Sequence, residues 1–357
     1  MNKNMNIAYH MPSLDTIYAQ RTIYYGYKNA IEDLGHKFFT FSSRNNLEKF
    51  LEENCIDIFL TSSHFYYLKY LNLNTLKKYR NKGMVLFTKI DFWNSPLSSL
   101  RINEAKSLKD DARTVQLIKD GLLGDVFFHV VEQSDERMAG FEKETGYKYY
   151  TIPLAADKMT MECKFSKDFI ADISYIGTYL PSKRKFFKDC VSPLKNKYDL
   201  RLYGQDWTLQ NRLMGCIQKF GQYYCLPYLS SIQKPKLQLE DEAKIYSSSR
   251  ICINVHEDYQ KNYGGDCNER TFKIPLCGGF EITDDVACIH KYFKDSKEIV
   301  IAKNRDDWFE KIDFYMNNPD KKLAIIEAGR ERVLKDHTYH KRIEQIIKIY
   351  IEVKKHE

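Results

Sequence analysis

Apolar residues along this chain recur at two spacings, and the two alternate. Asn6 to His10 reads as a short apolar strand. After a polar loop, Ile17, Ile23, Tyr24, Tyr27, Ala30, Ile31 and Leu34 share one side of a helix running from about Thr16 to Leu34. Gly35 ends that helix, and Lys37 to Phe41 is a second strand. The unit then repeats: helix Leu47 to Asn54, strand Ile56 to Thr61, helix Leu71 to Lys82, strand Met84 to Lys89. Asp125 to Val131 is a further strand, Gln133 to Thr145 a helix, and Tyr149 to Leu154 closes the series. This alternation predicts a parallel α/β sheet with right-handed crossovers.

Ala155 to Lys167 is polar and without clear period, which predicts a linker. A second series follows: strand Asp172 to Ile176, helix Ser182 to Leu194, strand Tyr198 to Tyr203, helix Glu240 to Ser248, strand Arg250 to Val255. Beyond it come a strand at Ile299 to Ala302 and helices around Asp307 to Met316 and Asp320 to Lys335. The last pattern, Tyr339 to Val353, carries Ile343, Ile346, Ile347 and Tyr350 on one face. Asp307 and Glu310 have capping-box spacing. Two Rossmann-like domains with a cleft between them are the economical arrangement, expected at 1–160 and 161–335, with 336–357 as a terminal helix.

A chain of 357 residues with 43% hydrophobic content suits two globular domains. Nine cysteines lie scattered without zinc spacing, which predicts reduced thiols and no metal site. The start has no long apolar segment, and no run approaches the length of a membrane span. The location expected is the cytoplasm, with the inner membrane face open to peripheral association. A net charge of +7 favours anionic partners. Nucleic acid is disfavoured, because no helix-turn-helix, zinc or RNP signature is present.

The most informative run is Gly264 to Asp285: a Gly-Gly loop, Asn-Glu-Arg-Thr opening a short helix, Pro275 and Gly278-Gly279 ending it, then a strand. That order sets backbone N–H groups and Arg270 where an anion can bind. Asp266 and Glu269 have capping-box spacing, which would make Glu269 a cap, and Gly278-Gly279 also reads as a plain C-cap. A second run, Ile173 to Thr178, ends a strand in Gly177 and leads through Pro181 into Lys183-Arg184-Lys185. Three cations at a helix start oppose the helix dipole unless an anion joins them. Tyr203-Gly204 follows the next strand, with Trp207 read as packing. His256 ends a strand and either contacts substrate or hydrogen-bonds within its turn. On the N-terminal side, His10, Asp15, His64 and Asp91 fall at or after strand ends, each a candidate base for an acceptor hydroxyl.

Taken in order, Asp172 to Gly177, Tyr203 to Trp207, Asn268 to Phe280, and His337-Thr338-Tyr339 with Arg342 resemble the CgeB-like glycosyltransferases. The resemblance covers about 170 residues of the C-terminal half. It implies a GT-B fold, two Rossmann-like domains facing across a cleft, with the last helix crossing back to the first domain. It implies sugar transfer from a nucleotide-diphosphate sugar, a co-substrate rather than a cofactor, with no metal required and anomeric configuration retained. Lys183 or Arg184, together with Arg270, would stabilise the leaving diphosphate, with His256 as a further catalytic candidate. Gly177, Thr178, Tyr203, Gly204, Asn268, Glu269, Thr271, Phe272, Lys273, Gly278 and Gly279 would line the donor site.

The acceptor expected is a glycan or lipid-linked glycan in surface polysaccharide biosynthesis. One position departs from the family: Lys273 stands where a Glu is usual, and a Lys cannot accept ribose hydroxyl hydrogen bonds. Either Glu269 or Glu281 then takes that role, or the ribose is held differently, or the donor is unusual, or Lys273 faces solvent without a role. The alternative is a non-catalytic nucleotide- or glycan-binding protein on the same fold.

Overall fold

A computed structural model describes residues 4–12, 18–94, 107–180, 183–224, 226–230, 232 and 237–356. Two all-parallel sheets organise them. The first holds β1 (Asn6–His10), β2 (Lys37–Phe41), β3 (Ile58–Ser62), β4 (Val85–Lys89), β5 (Val126–His129) and β6 (Tyr149–Thr151), in the order β2-β1-β3-β4-β5-β6. The second holds β7 (Ala171–Ile176), β8 (Leu200–Tyr203), β9 (Ser249–Asn254), β10 (Glu281–Asp284) and β11 (Val300–Ala302), in the order β11-β10-β9-β7-β8. Strands such as Ile58–Ser62 and Val85–Lys89 are buried over nearly their whole length because helices cover both faces of each sheet. In each sheet the winding reverses once, between β1 and β3 and between β7 and β9. Ligands of open α/β sheets bind outside the carboxyl ends of strands at such reversals.

The last helix, Tyr339–His356, leaves the second sheet and joins the first. Tyr339, Ile343, Ile346 and Ile349 pack with Ile7, Ile31, Ile58 and Val85 in one core. Gly26, on helix Tyr18–Asp33, makes that docking close: a Cβ there would lie 2.2 Å from the Tyr339 ring. The stretch expected as a linker is packed instead. Ala155, Ala156 and Met161 are buried, Ala156 N–H donates to His337 O (3.0 Å), and Tyr339 N–H donates to Ala156 O (3.0 Å). The chain passes between the sheets twice, and the two passages pair their backbones.

Other departures are local. The helix expected over Gln133 to Thr145 is broken into Glu136–Met138 and Phe141–Thr145 by Gly140 at φ 90°. Ser182 to Leu194 is not one regular helix but a succession of short turns over 184–196, with Pro193 near its end. Neither expected capping box forms. Asn304 caps helix Arg305–Asn317, while Asp307 accepts from Lys303 N–H and pairs with Lys311. Asp266 turns away to Arg137 and Gln260, and Asn268 Oδ1 accepts the Arg270 N–H. Helix Leu209–Tyr223 was missed, although Leu209, Leu213, Cys216, Phe220 and Tyr223 recur at helical spacing. The eight described cysteines are free.

A cluster of buried charges joins the two halves. Lys273 Nζ lies 3.1 Å from Glu269 and 3.5 Å from Glu242, all three side chains under 10% exposed. Glu269 also accepts from Thr22 Oγ1 (2.6 Å), on the first domain, and from Tyr339 OH (2.5 Å), on the last helix. Burial disfavours the Lys273 ammonium, but the two carboxylates outweigh it and hold its pKa above the ordinary lysine value. A second junction sets Arg137, 1% exposed, between Asp135 (2.8 Å) and Asp266 (2.6 Å) of the other domain. Removing one member of a buried pair leaves the other charge uncompensated. Lys273→Met is therefore expected to lower unfolding stability by about 3–5 kcal/mol. Urea titration followed by tryptophan fluorescence checks this, and a loss below about 1 kcal/mol would refute the clasp as described.

Candidate active site

The winding reversal between β7 and β9 gathers the polar residues of the second domain. Gly177 follows β7, Gly204 follows β8, and Val255-His256 follow β9. Helix Arg270–Leu276 begins at this same carboxyl edge and runs back toward the amino edge. Gly177 and Gly204 touch backbone to backbone. Gly204 sits at φ 113°, and a Cβ on it would fall 2.5 Å from Gly177 O. Trp207 Nε1 donates to that same oxygen at 2.7 Å, so its packing role is to pin the turn.

Arg270 is held in this corner by neutral acceptors. Its guanidinium donates to Val255 O (2.8 Å), Asn254 Oδ1 (3.0 Å) and Ile176 O (3.3 Å), and it lies over the Tyr175 ring at 5.3 Å. Among the described residues no carboxylate comes within ion-pair distance of it. Lys183 converges on the same carbonyl, Val255 O, at 3.0 Å, and pairs with Glu257 at 2.8 Å. Arg184 is exposed, its guanidinium 5.8 Å from the Tyr179 ring centre. Thr178, Tyr203 and Asn268 are partly exposed at this edge. Asn268 bridges to Asn254 Oδ1 at 2.9 Å, which ties the helix start to β9.

Seven of the expected site residues do not reach this corner. His256 is fully buried: its Nδ1 lies 2.7 Å from Asp284 Oδ1 and its Nε2 3.2 Å from Thr271 Oγ1, so the turn has taken both nitrogens. Thr271 also accepts from Asn254 Nδ2 (3.0 Å). Phe272 packs against Tyr292, Phe293 and His337. Gly278 and Gly279 cap the far end of the helix, with Gly279 N–H donating to Ile274 O, on the opposite edge of the sheet from Arg270. Glu269 and Lys273 belong to the interdomain cluster. Along the helix start, burial separates the roles: Asn268 and Arg270 face out, Glu269 and Thr271 face in.

Glu281 does not replace the missing carboxylate either. It is 2% exposed, accepts from Asn254 Nδ2 at 2.8 Å, and its Oε2 has no partner among the described residues. Burial pushes its pKa up to about 8.

On the facing domain, His10 is 1% exposed and bonded to Thr61 Oγ1 at 2.9 Å, and burial lowers its pKa to about 3. It is a neutral imidazole packed in the core. His64 caps helix Phe65–Leu68 by accepting from Tyr66 N–H at 3.3 Å. Asp15 lies outside the described residues. Asp91 is partly exposed just past β4, beside Lys89 at the end of that strand. Lys89 and His129 were missed by sequence reading, since each is a single polar residue ending an apolar strand. His129 is buried with Nδ1 unpartnered, and burial, then Lys89 and Arg137, hold its pKa well below the ordinary value. A small cavity lined by Thr22, Tyr25, Asp157, Lys273 and Tyr339 lies at the interdomain cluster and includes none of the Gly177–Arg270 residues.

Residues 184–348 match the family described as glycosyl transferase-like. The spore protein CgeB of Bacillus subtilis is 21% identical over 254 residues, 65% of this chain and 73% of that protein. The chain has a GT-B fold, and its C-terminal half is similar to the CgeB-like glycosyltransferases. Solved structures agree on the fold across its full length. An alpha-glucosyltransferase in complex with UDP-glucose and DNA containing an abasic site superposes with a TM-score of 0.64 at 13% identity, covering 98% of this chain and 100% of that one. Sucrose-phosphate synthase from Thermosynechococcus elongatus gives 0.62 at 11% identity (99% and 100%). A glycosyltransferase from Rickettsia africae gives 0.62 at 12% identity (100% and 100%). Within this glycosyltransferase, no group of three or more His, Cys, Asp or Glu suited to a metal occurs among the described residues.

The buried Glu281 carboxyl gives a pH test of the polar core behind the site. With its pKa raised from 4.5 to about 8, the native chain keeps a proton that the unfolded chain releases. Stability attributable to this group therefore falls as pH rises between those values. Glu281→Gln, which mimics the protonated acid, is expected to gain on the wild type between pH 5 and 9, by on the order of 3 kcal/mol. Paired denaturation curves at the two pH values check it, and a constant difference would reject the protonated assignment.

Proposed function

We propose that this glycosyltransferase takes its sugar from a nucleotide-diphosphate donor bound at the Gly177–Gly204 edge, with the diphosphate against Arg270 and Lys183. The observation that carries the reading is Arg270: a guanidinium fixed by three neutral acceptors at the winding reversal, with no carboxylate partner among the described residues. Such a group is a preorganised charge awaiting an anion. As the bond from the anomeric carbon to the diphosphate oxygen breaks, negative charge grows on the leaving group. Arg270 and Lys183 supply positive charge there without reorganising. Several similar structures contain UDP or UDP-glucose, so uridine donors are the first to test.

The acceptor hydroxyl of a glycan or lipid-linked glycan would approach from the facing domain, where Asp91 and Lys89 end β4. Retention of anomeric configuration and a place in surface polysaccharide synthesis complete the proposal. With Glu242, Glu269 and Glu281 all engaged internally, the ribose of the donor is held without the carboxylate usual in the family.

Arg270→Ala is expected to lower kcat/KM for transfer by about 10²–10³. A thermal-shift panel of nucleotide-sugars should stabilise the wild type by mass action and leave the variant nearly unmoved. Undiminished turnover in the variant would overturn the assignment of Arg270.

A further inference from the structure

The segment between β8 and helix Leu239–Ser248 carries an apolar surface that belongs to none of the apolar cores among the described residues. Along helix Leu209–Tyr223, the residues Leu209, Leu213, Cys216, Phe220 and Tyr223 recur three and four apart, and all are exposed. Leu209 and Tyr223 are 80% exposed, and Tyr228 just beyond is 82% exposed. A helix normally turns such a stripe inward, yet none of its residues belongs to the apolar cores among the described residues. Solvent does not explain a contiguous apolar face of this kind.

Charge distinguishes between the candidates for covering it. The chain has 48 acidic residues in 357, but from Trp207 to Leu239 there is no Asp or Glu at all, while Arg212, Lys219, Lys234 and Lys236 are present. Two copies meeting through this segment would bring together sequences that carry cations and no acidic residue to pair with them. An anionic bilayer answers both features: the apolar stripe enters the interface, aromatic rings sit at headgroup level, and cations meet lipid phosphates. No described helix is long and apolar enough to cross a membrane, so the contact is with the surface.

We infer that helix Leu209–Tyr223 and the turn after it form a docking surface for an anionic lipid bilayer. The inference rests on this surface and not on the donor site. The full chain is mixed with phosphatidylcholine vesicles, with or without phosphatidylglycerol, and sedimented. Retention is expected on phosphatidylglycerol vesicles at low salt, with loss on pure phosphatidylcholine or at high salt. Leu213→Ser/Phe220→Ser/Tyr223→Ser is expected to weaken retention at least about tenfold, with an unchanged melting midpoint. Leu209→Ser alone, with a smaller loss in the same direction, replaces it if the triple variant does not fold. The inference is overturned by absence of retention on anionic vesicles or by equal retention of a folded variant. It is equally overturned by light scattering that shows a wild-type dimer and a monomeric variant, which would assign the face to a second copy.

Discussion

The carboxylate of Glu269 is the point on which the two halves of this glycosyltransferase meet. It takes hydrogen bonds from Thr22 on the first domain and Tyr339 on the last helix, and it neutralises Lys273 one turn along its own helix. Burying these charges carries a large desolvation cost, so the cluster holds only because every member is paired. One residue further, Arg270 faces the opposite way, into the cleft. Neighbouring positions of a single helix start thus serve the joint between domains and the proposed anion site.

This arrangement explains why the site is narrower than its motif. A helix of seven residues spans about 10 Å, so its two ends stand at opposite edges of the sheet. The asparagine and arginine at its start share the carboxyl edge with Gly177. The glycines at its end close a turn far from any substrate. A contiguous motif is therefore a structural unit with one functional tip, and sequence order overstated how much of it lines the site.

Much of the architecture was legible because strands buried on both faces leave unmistakable apolar runs, as in Ile58–Ser62 and Val85–Lys89. The crossing of the terminal helix was expected from the family resemblance, and its apolar stripe of Ile343 and Ile346 fitted it. Direction of side chains was not legible. Nothing in the letters told that His10 and His256, each at the end of an apolar strand, point into packed cores, while Arg270, at a helix start, stays partly exposed. Nor did spacing reveal that Asp266 would be drawn off its helix to Arg137, a partner 129 residues away. Local rules such as the capping box lose when a buried guanidinium offers a stronger bond.

The Lys273 cluster also bears on how this chain can change through descent. A carboxylate at position 273, as in the family it resembles, would stand beside Glu242 and Glu269 and set three like charges in one buried space. Reversion at any one of these positions is thus penalised while the other two remain. Sequences sharing this lysine should carry acidic residues at both other positions, so the trio marks descent more sharply than overall identity does.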